Sequence, residues 1–302
     1  QDPRGFDCWA IHPGQGDYFD PVFIENGIEV KIQGYATDIT TDLALNFLES
    51  TDRSQPFCLV YQLKAPHRPF SPAPRHKDMY NDIEIPVPET FNDDYATRHI
   101  AELAEDMRFD ISLAGDYEDL PHGINKEERK HWIYQRFIKD RFRTIYGVDE
   151  NLGRVLDYLD EQGLEKDTLI LYTSDHGYFL GDHGWYDKRF MYEPSIRIPL
   201  VARYPRLGLC ENVTDAMVMN IDFAPTILDF SDVSIPDQMQ GCSFRPLMEG
   251  SAPKGWRSSI YYAYYENSWE LQGKGDEAMA EPYKYFTPHR IGPHRGVRTD
   301  HC

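Results

Sequence analysis

The stretch Thr168-Leu-Ile-Leu-Tyr-Thr-Ser-Asp-His-Gly177 decides how this chain is read. An apolar run from Thr168 to Thr173 has the length and composition of a buried strand. It stops at a carboxylate, an imidazole and a glycine, which then occupy the loop just past the strand's C-terminal end. Gly177 permits a sharp backbone turn beyond Asp175 and His176. An acid and a histidine so placed suit a metal site, and turn chemistry alone also accounts for them as a capped turn. A second Asp-His-Gly, Asp182-His183-Gly184, follows as either a tandem ligand loop or polar loop composition. Lys188 lies thirteen positions after Asp175. At that reach its ammonium can neutralise an anion held by a metal; the other reading is a solvated surface lysine.

Working outward, Lys126 to Gln162 carries apolar residues at three- and four-residue steps, among them Ile133, Phe137, Ile138, Val148, Val155 and Leu159. This spacing predicts a long helix with Gly163 at its C-cap. Leu43, Ala44, Phe47 and Leu48 predict another over 37–50. Phe57-Cys-Leu-Val-Tyr-Gln-Leu63 reads as a second buried strand, and Ile198-Pro-Leu-Val-Ala-Arg203 as a third. The prolines of Lys64-Ala-Pro-His-Arg-Pro-Phe-Ser-Pro-Ala-Pro74 remove donors and fix the backbone, so this segment is a rigid loop leaving a strand end. It presents His67 either for general acid or anion-binding work or packed against Phe70 or Trp side chains. Residues 1–35 read as loop with short extended pieces, and 80–125 as irregular with a short helix near 95–107. Asp222 is a candidate cap for a helix through Leu228. Ile260-Tyr-Tyr-Ala-Tyr-Tyr265 reads as a strand of a smaller antiparallel unit, and Gly273–Asp276 as a flexible loop.

The order strand, helix, strand predicts an α/β domain with a mainly parallel sheet, whose chemistry sits past strand C-termini. His67 and the pair Asp175-His176 both stand there. The expected division is a main α/β domain over 1–235 and the start of a small C-terminal α+β subdomain over 236–302.

The 302 residues are 41% hydrophobic and 14% aromatic, enough for a packed core and against disorder. No apolar run reaches the eighteen residues of a membrane span. A formal charge of −19 argues against nucleic-acid binding and against gripping a long polyanion. The five cysteines, Cys8, Cys58, Cys210, Cys242 and Cys302, include no CxxC pair, which disfavours a zinc or redox site.

Taken in order, the strand with Ala65-Pro-His-Arg-Pro-Phe70, the long helix, Thr173-Ser-Asp-His-Gly177, Lys188 and Arg197-Ile-Pro-Leu200 resemble the formylglycine-dependent sulfatases of the alkaline phosphatase superfamily. The resemblance covers nearly the whole chain. The leading block, Gly5-Phe-Asp-Cys-Trp9 with Pro13-Gly-Gln-Gly16 and Pro21-Val-Phe-Ile-Glu-Asn26, is most similar to bacterial N-acetylglucosamine-6-sulfatases and mucin-desulfating sulfatases. That resemblance implies a helix-sandwiched parallel sheet and removal of sulfate from a sulfated carbohydrate, with 6-sulfated N-acetylglucosamine the specific candidate. It implies calcium as cofactor, with Asp175 and His176 as metal ligands. The oxygen donor is the better of the two for calcium. It implies that Lys188 and His67 hold the sulfate and assist departure of the alcohol, and that His294 stands on the substrate side. It also implies a periplasmic or extracellular location.

One part of the family pattern is absent. The family's nucleophile is a formylglycine made from Cys or Ser in a C/S-x-P-S/A-R motif, and no cysteine or serine here has that context. The expectation is a chain truncated at both ends, with the nucleophile and half of the metal site supplied from upstream. The alternatives are a phosphate ester hydrolase or transferase of the same superfamily, and an inactive glycan-binding relative.

Overall fold

The computed structural model of the chain describes residues 3–104, 106–208, 212–265 and 291–300. In chain order its elements begin with strands β1 (Ala10–Ile11), β2 (Val22–Glu25) and β3 (Ile28–Lys31), then helices α1 (Ala36–Ser50), α2 (Ile100–Ala104) and α3 (Lys126–Glu161). There follow β4 (Ile170–Thr173), β5 (Phe179–Leu180), β6 (Tyr186–Asp187), α4 (Glu193–Ile196), β7 (Leu200–Arg203), α5 (Phe223–Phe230), α6 (Arg245–Met248), β8 (Ser259–Tyr264) and β9 (His294–Thr299). They form two compact units, one of residues 1–87 and 114–165, the other of 88–113 and 166–302. The boundary expected at 235/236 falls inside the second unit.

The first unit is built on the long helix. Asn125 starts α3 with a reciprocal cap: its Oδ1 accepts from the amides of Glu127 and Glu128 at 2.9 Å, and Glu128 Oε2 accepts from the Asn125 amide at 2.9 Å. Gly163, at φ 64°, ends it in the left-handed conformation. The Leu164 amide then reaches the Leu159 carbonyl and the Gly163 amide that of Asp160, which satisfies two of the last carbonyls. Ile133, Phe137, Ile138, Val155 and Leu159 bury the face that the spacing predicts. Ile145, at 36% exposed, lies off it.

Helix α1 packs along α3, and an Asp38–Arg75–Glu150 network with buried Asn151 ties the two together. β1, β2 and β3 form an antiparallel meander. Tyr18, Tyr35, Ala65, Ala73 and Val148 make one core cluster, with Leu63 against it.

The second unit contains three antiparallel pairs: β4 with β7, β5 with β6, and β8 with β9. A buried ion pair organises its α5–α6 region. Asp222, fully buried, takes Arg257 through both carboxylate oxygens and also accepts from the amides of Met219 at 2.7 Å and Cys242 at 2.8 Å.

The α/β class stands, with three local corrections. Every ladder among the described residues is antiparallel, where strand, helix, strand predicts parallel pairs. Residues 57–63 are extended but carry no ladder, and alternate between half-buried and exposed, with Val60 53% exposed. An apolar run reads as buried from composition, but among the described residues no strand pairs with this one. Asp222 does not cap α5 through its side chain, because Arg257 and two amides already occupy the carboxylate. The Gly273–Asp276 loop, Cys210 and Cys302 lie outside the described residues. Cys8, Cys58 and Cys242 are exposed free thiols.

Candidate functional site

In the first unit, His67 stands on the proline loop, exposed, with Phe70 buried beneath. Phe70 meets Phe137 edge-on at 5.1 Å and adopts φ 56°. His67 is therefore exposed on its loop. Its backbone is fixed at both ends: its amide donates to the Lys64 carbonyl at 2.9 Å, and its carbonyl accepts from Tyr18 Oη at 2.6 Å. Burial pushes the Tyr18 phenol up, so it stays a donor. His67 Nδ1 lies 2.7 Å from the Arg68 carbonyl, which can only accept, so Nδ1 carries the proton. Arg68 pairs with Asp116, and Arg141 donates to the Pro66 carbonyl at 3.3 Å.

Beside this loop is a cleft of about 280 Å³ lined by Asp17, Tyr18, Phe19 and Lys64. The Lys64 ammonium sits 4.7 Å over the Tyr18 ring and donates to the Gln15 carbonyl at 3.0 Å. Burial lowers its pKa. Lys64 was not singled out from sequence, because a lysine next to a proline loop carries no signal of its own.

In the second unit, β4 ends at Thr173 and delivers Asp175 and His176 into the loop, as expected. Gly177 fixes this turn by close approach. Its amide donates to the Ser195 carbonyl at 2.9 Å, and a Cβ there would lie 2.2 Å from the Pro194 carbonyl oxygen. The Asp175 side chain is 83% exposed and, among the described residues, bonds locally, to the His176 amide at 3.1 Å and Ser174 Oγ at 3.4 Å. His176 Nδ1 donates to the Gly177 carbonyl at 2.7 Å, which turns Nε2 toward Asp175 Oδ2 at 3.4 Å. A histidine anchored on a carbonyl through Nδ1 with Nε2 facing a carboxylate has the arrangement of a metal-ligating imidazole. The donor set thus fits two ligands of a divalent cation. Among the described residues no cluster of three or more His, Cys, Asp or Glu side chains completes it.

Lys188 follows β6. Its neighbours Asp187 and Arg189 have φ of 74° and 105°, conformations that non-glycine residues adopt only when their surroundings impose them. Lys188 Nζ lies 3.5 Å from Asp187 Oδ1, while Arg189 Nη1 reaches Asp187 Oδ2 at 2.7 Å. The Arg189 amide donates to Ser195 Oγ at 3.0 Å, and its carbonyl accepts from Tyr262 Oη. Ser195 is therefore shared by the Asp175-His176-Gly177 turn and the Lys188 segment, through its carbonyl and its hydroxyl.

His294 opens β9, opposite Tyr264. Its ring lies among Phe190, Tyr262 and Tyr264 at 5.4–5.7 Å, its Nδ1 meets the Gly292 carbonyl at 3.0 Å, and its Nε2 is buried with no hydrogen bond among the described residues. The contact with Phe190 brings it close in chain terms to Lys188. In the second Asp-His-Gly, His183 Nδ1 is held by Asp93 Oδ2 at 2.8 Å.

The fold and its motif order define an α/β protein of the alkaline phosphatase superfamily. A family model described as N-sulphoglucosamine sulphohydrolase, C-terminal, matches residues 181–276. An N-acetylglucosamine-6-O-sulfatase from Bacteroides thetaiotaomicron is 39% identical over 99% of this chain and 59% of its own length. A sulfatase structure solved in complex with its substrate, D-glucosamine-2-N,6-O-disulfate, is 38% identical, with a TM-score of 0.86 over 99% of this chain and 66% of that one. A phosphonate monoester hydrolase from Silicibacter pomeroyi is 25% identical, with a TM-score of 0.67 over 87% of this chain and 50% of that one. The chain belongs to the sulfatase family, and it spans 59% of the length of the Bacteroides relative.

Proposed function

We propose that the protein carrying this chain is a carbohydrate sulfatase that removes sulfate from 6-sulfated N-acetylglucosamine. The observation that carries this reading is the 39% identity to an N-acetylglucosamine-6-O-sulfatase, sustained over 99% of the chain. Similarity to a sulfatase whose structure holds a 6-O-sulfated glucosamine supports the same substrate class.

A sulfate ester carries one negative charge, and charge grows on the leaving oxygen as the S–O bond breaks. The site must therefore neutralise anionic oxygens and protonate the departing alcohol. In this reading Asp175 and His176 hold calcium, Asp175 through a hard oxygen and His176 as the poorer ligand. A bound cation supplies charge neutralisation on the sulfate oxygens. Lys188 holds a sulfate oxygen through its ammonium, a compact point charge whose backbone is fixed on both sides. His67 binds the sulfate or passes a proton to the leaving oxygen, from an imidazole whose Nδ1 proton is already committed to Arg68. His294, walled by three aromatic rings, stands on the sugar side. No cysteine or serine of this chain stands in the formylglycine motif. The family resemblance also carries the proposal of a periplasmic or extracellular location. No described helix is long and apolar enough to cross a membrane.

The test is sulfate release by the full-length protein from N-acetylglucosamine-6-sulfate, other sulfated sugars and a phosphate ester. Release from the 6-sulfated sugar is expected. Release only from another sulfated sugar would remove the substrate assignment, and release only of phosphate would move the protein to the superfamily's phosphate chemistry.

A further inference from the structure

We propose that His183, clamped by Asp93, is a positioning residue for Lys188. The inference rests on the sulfate-holding role proposed above for that lysine.

Lys188 sits between two residues in disfavoured backbone conformations, so its placement has to be imposed from outside. On one side Arg189 is bound to Ser195 and Tyr262. On the other side the β5–β6 hairpin leads in, with the registers Phe179 to Asp187 and Leu180 to Tyr186. Two residues per strand are too few to hold a hairpin still. Its second strand is held by the Tyr186 amide, which donates to the Met107 carbonyl at 3.0 Å, and by the Tyr186 hydroxyl, 2.8 Å from Ser112 Oγ; its turn is held by His183.

His183 has φ 57°, the left-handed region that few side chains enter without compensation. Its amide donates to Thr90 Oγ1 at 3.0 Å, its carbonyl accepts from Tyr95 Oη, and its Nδ1 reaches Asp93 Oδ2 at 2.8 Å. The backbone and side chain of one turn residue are thus tied to residues 90–95. The imidazole also packs on Trp185 at 5.1 Å and Tyr192 at 5.2 Å, leaving its side chain 12% exposed.

Asp93 is itself held. It accepts from the Tyr95 amide at 2.9 Å and from Arg98 Nη2 at 3.0 Å. Arg98 approaches Glu102 at 3.7 Å, and Glu102 accepts from Tyr192 Oη at 2.8 Å. Since Tyr192 packs on His183, the network closes on itself. Asp93 and Glu102 are each 14% exposed, so these contacts are little screened by solvent. A loop that were polar for solubility alone would show none of this closure. With the turn bolted down, β6 enters Asp187 at a set angle and Lys188 leaves it in one direction.

The test uses the full-length protein and sulfate release from N-acetylglucosamine-6-sulfate, with enough enzyme to quantify slow variants. Losing the clamp should misplace the ammonium by an ångström or so, which costs roughly 10- to 100-fold in kcat/KM for His183→Ala. His183→Gln, whose amide can still donate to Asp93, should recover most of that loss. In a Lys188→Ala background, His183→Ala should cost less than about 3-fold more, because residues acting as a unit are not additive. A purely structural role predicts the same loss in both backgrounds, and that result, or undiminished kcat/KM in His183→Ala, would overturn the proposal. If His183→Ala does not melt cooperatively, Asp93→Asn replaces it in the same cycle. Undiminished turnover in Lys188→Ala would instead overturn the role given to Lys188.

Discussion

Nε2 of His176 and Oδ2 of Asp175 face each other at 3.4 Å, while the opposite imidazole nitrogen donates to the Gly177 carbonyl. In the proposed function these two donors hold one cation. Asp175→Ala removes the hard oxygen and should lower turnover of the full-length protein by at least about 100-fold, the scale for a preorganised charge-stabilising group. His176→Asn, which offers an oxygen in place of the imidazole, should keep more calcium affinity than His176→Ala. Calcium titration of the chelated protein, followed by calorimetry and by activity, checks both. Equal affinity in all three proteins would remove these residues from the metal site.

The Asp175-His176 turn depends on a glycine for reasons of space. In Gly177→Ala the new methyl would fall 2.2 Å from the Pro194 carbonyl oxygen and 2.8 Å from Ser195 backbone atoms. Those atoms belong to the short helix α4 and cannot swing aside as a side chain would. The expected cost is about 1–3 kcal/mol, the usual range for overpacking. Turnover should fall as well, because the same Ser195 holds the Arg189 amide. Urea unfolding with the midpoint and slope both fitted measures the first effect.

The parts of this molecule that could be read in advance are those set by local periodicity and turn chemistry. The 36-residue helix α3 follows from apolar spacing and Gly163. The presentation of His67 follows from its prolines, and the place of Asp175-His176 from an apolar run that stops abruptly. Side chains whose partners are distant in sequence could not be read. Asp222 has the composition of a helix cap, but Arg257, 35 positions away, takes its carboxylate. His183 repeats the Asp-His-Gly tripeptide, and the partner of its Nδ1, Asp93, stands 90 positions earlier. Pairing failed for the same reason: the 57–63 run has the composition of a buried strand, and nothing within it says whether a neighbour is present.

The Asp222–Arg257 pair yields a stability prediction of its own. Asp222→Ala would leave the Arg257 guanidinium, the Met219 amide and the Cys242 amide without their acceptor in a fully buried place. Breaking one side of a buried pair costs about 3–5 kcal/mol. The double variant Asp222→Ala, Arg257→Met should be less destabilised than the sum of its single changes, because it removes the orphaned charge. Thermal unfolding of the four proteins in a double-mutant cycle checks this. Strict additivity would mean the pair contributes nothing as a pair.

Acid stability should be governed in part by Asp38. Burial raises the pKa of its carboxyl, but hydrogen bonds from Arg75, at 2.7 and 2.8 Å, and from Asn151, at 2.8 Å, together with the nearby guanidinium charges, outweigh burial and leave it below its ordinary value of 3.8. A carboxylate whose folded pKa is depressed stabilises the fold at pH above its unfolded value. That contribution begins to fade near pH 4 and is lost as pH falls through the lower folded value. His76, in the same network, adds a change at higher pH. Burial and the Arg75 charge lower its pKa below 6.5, so the unfolded chain takes up the proton first and stability falls as pH drops from 6.5 to the lower folded value. The stability-versus-pH curve of the chain should therefore decline in two stages between pH 7 and pH 3. Asp38→Asn should flatten the lower stage and His76→Phe the upper one. Urea midpoints measured every half unit resolve the two. An Asp38→Asn protein that keeps the full decline below pH 4 would show that the carboxylate is not among the groups that set acid stability.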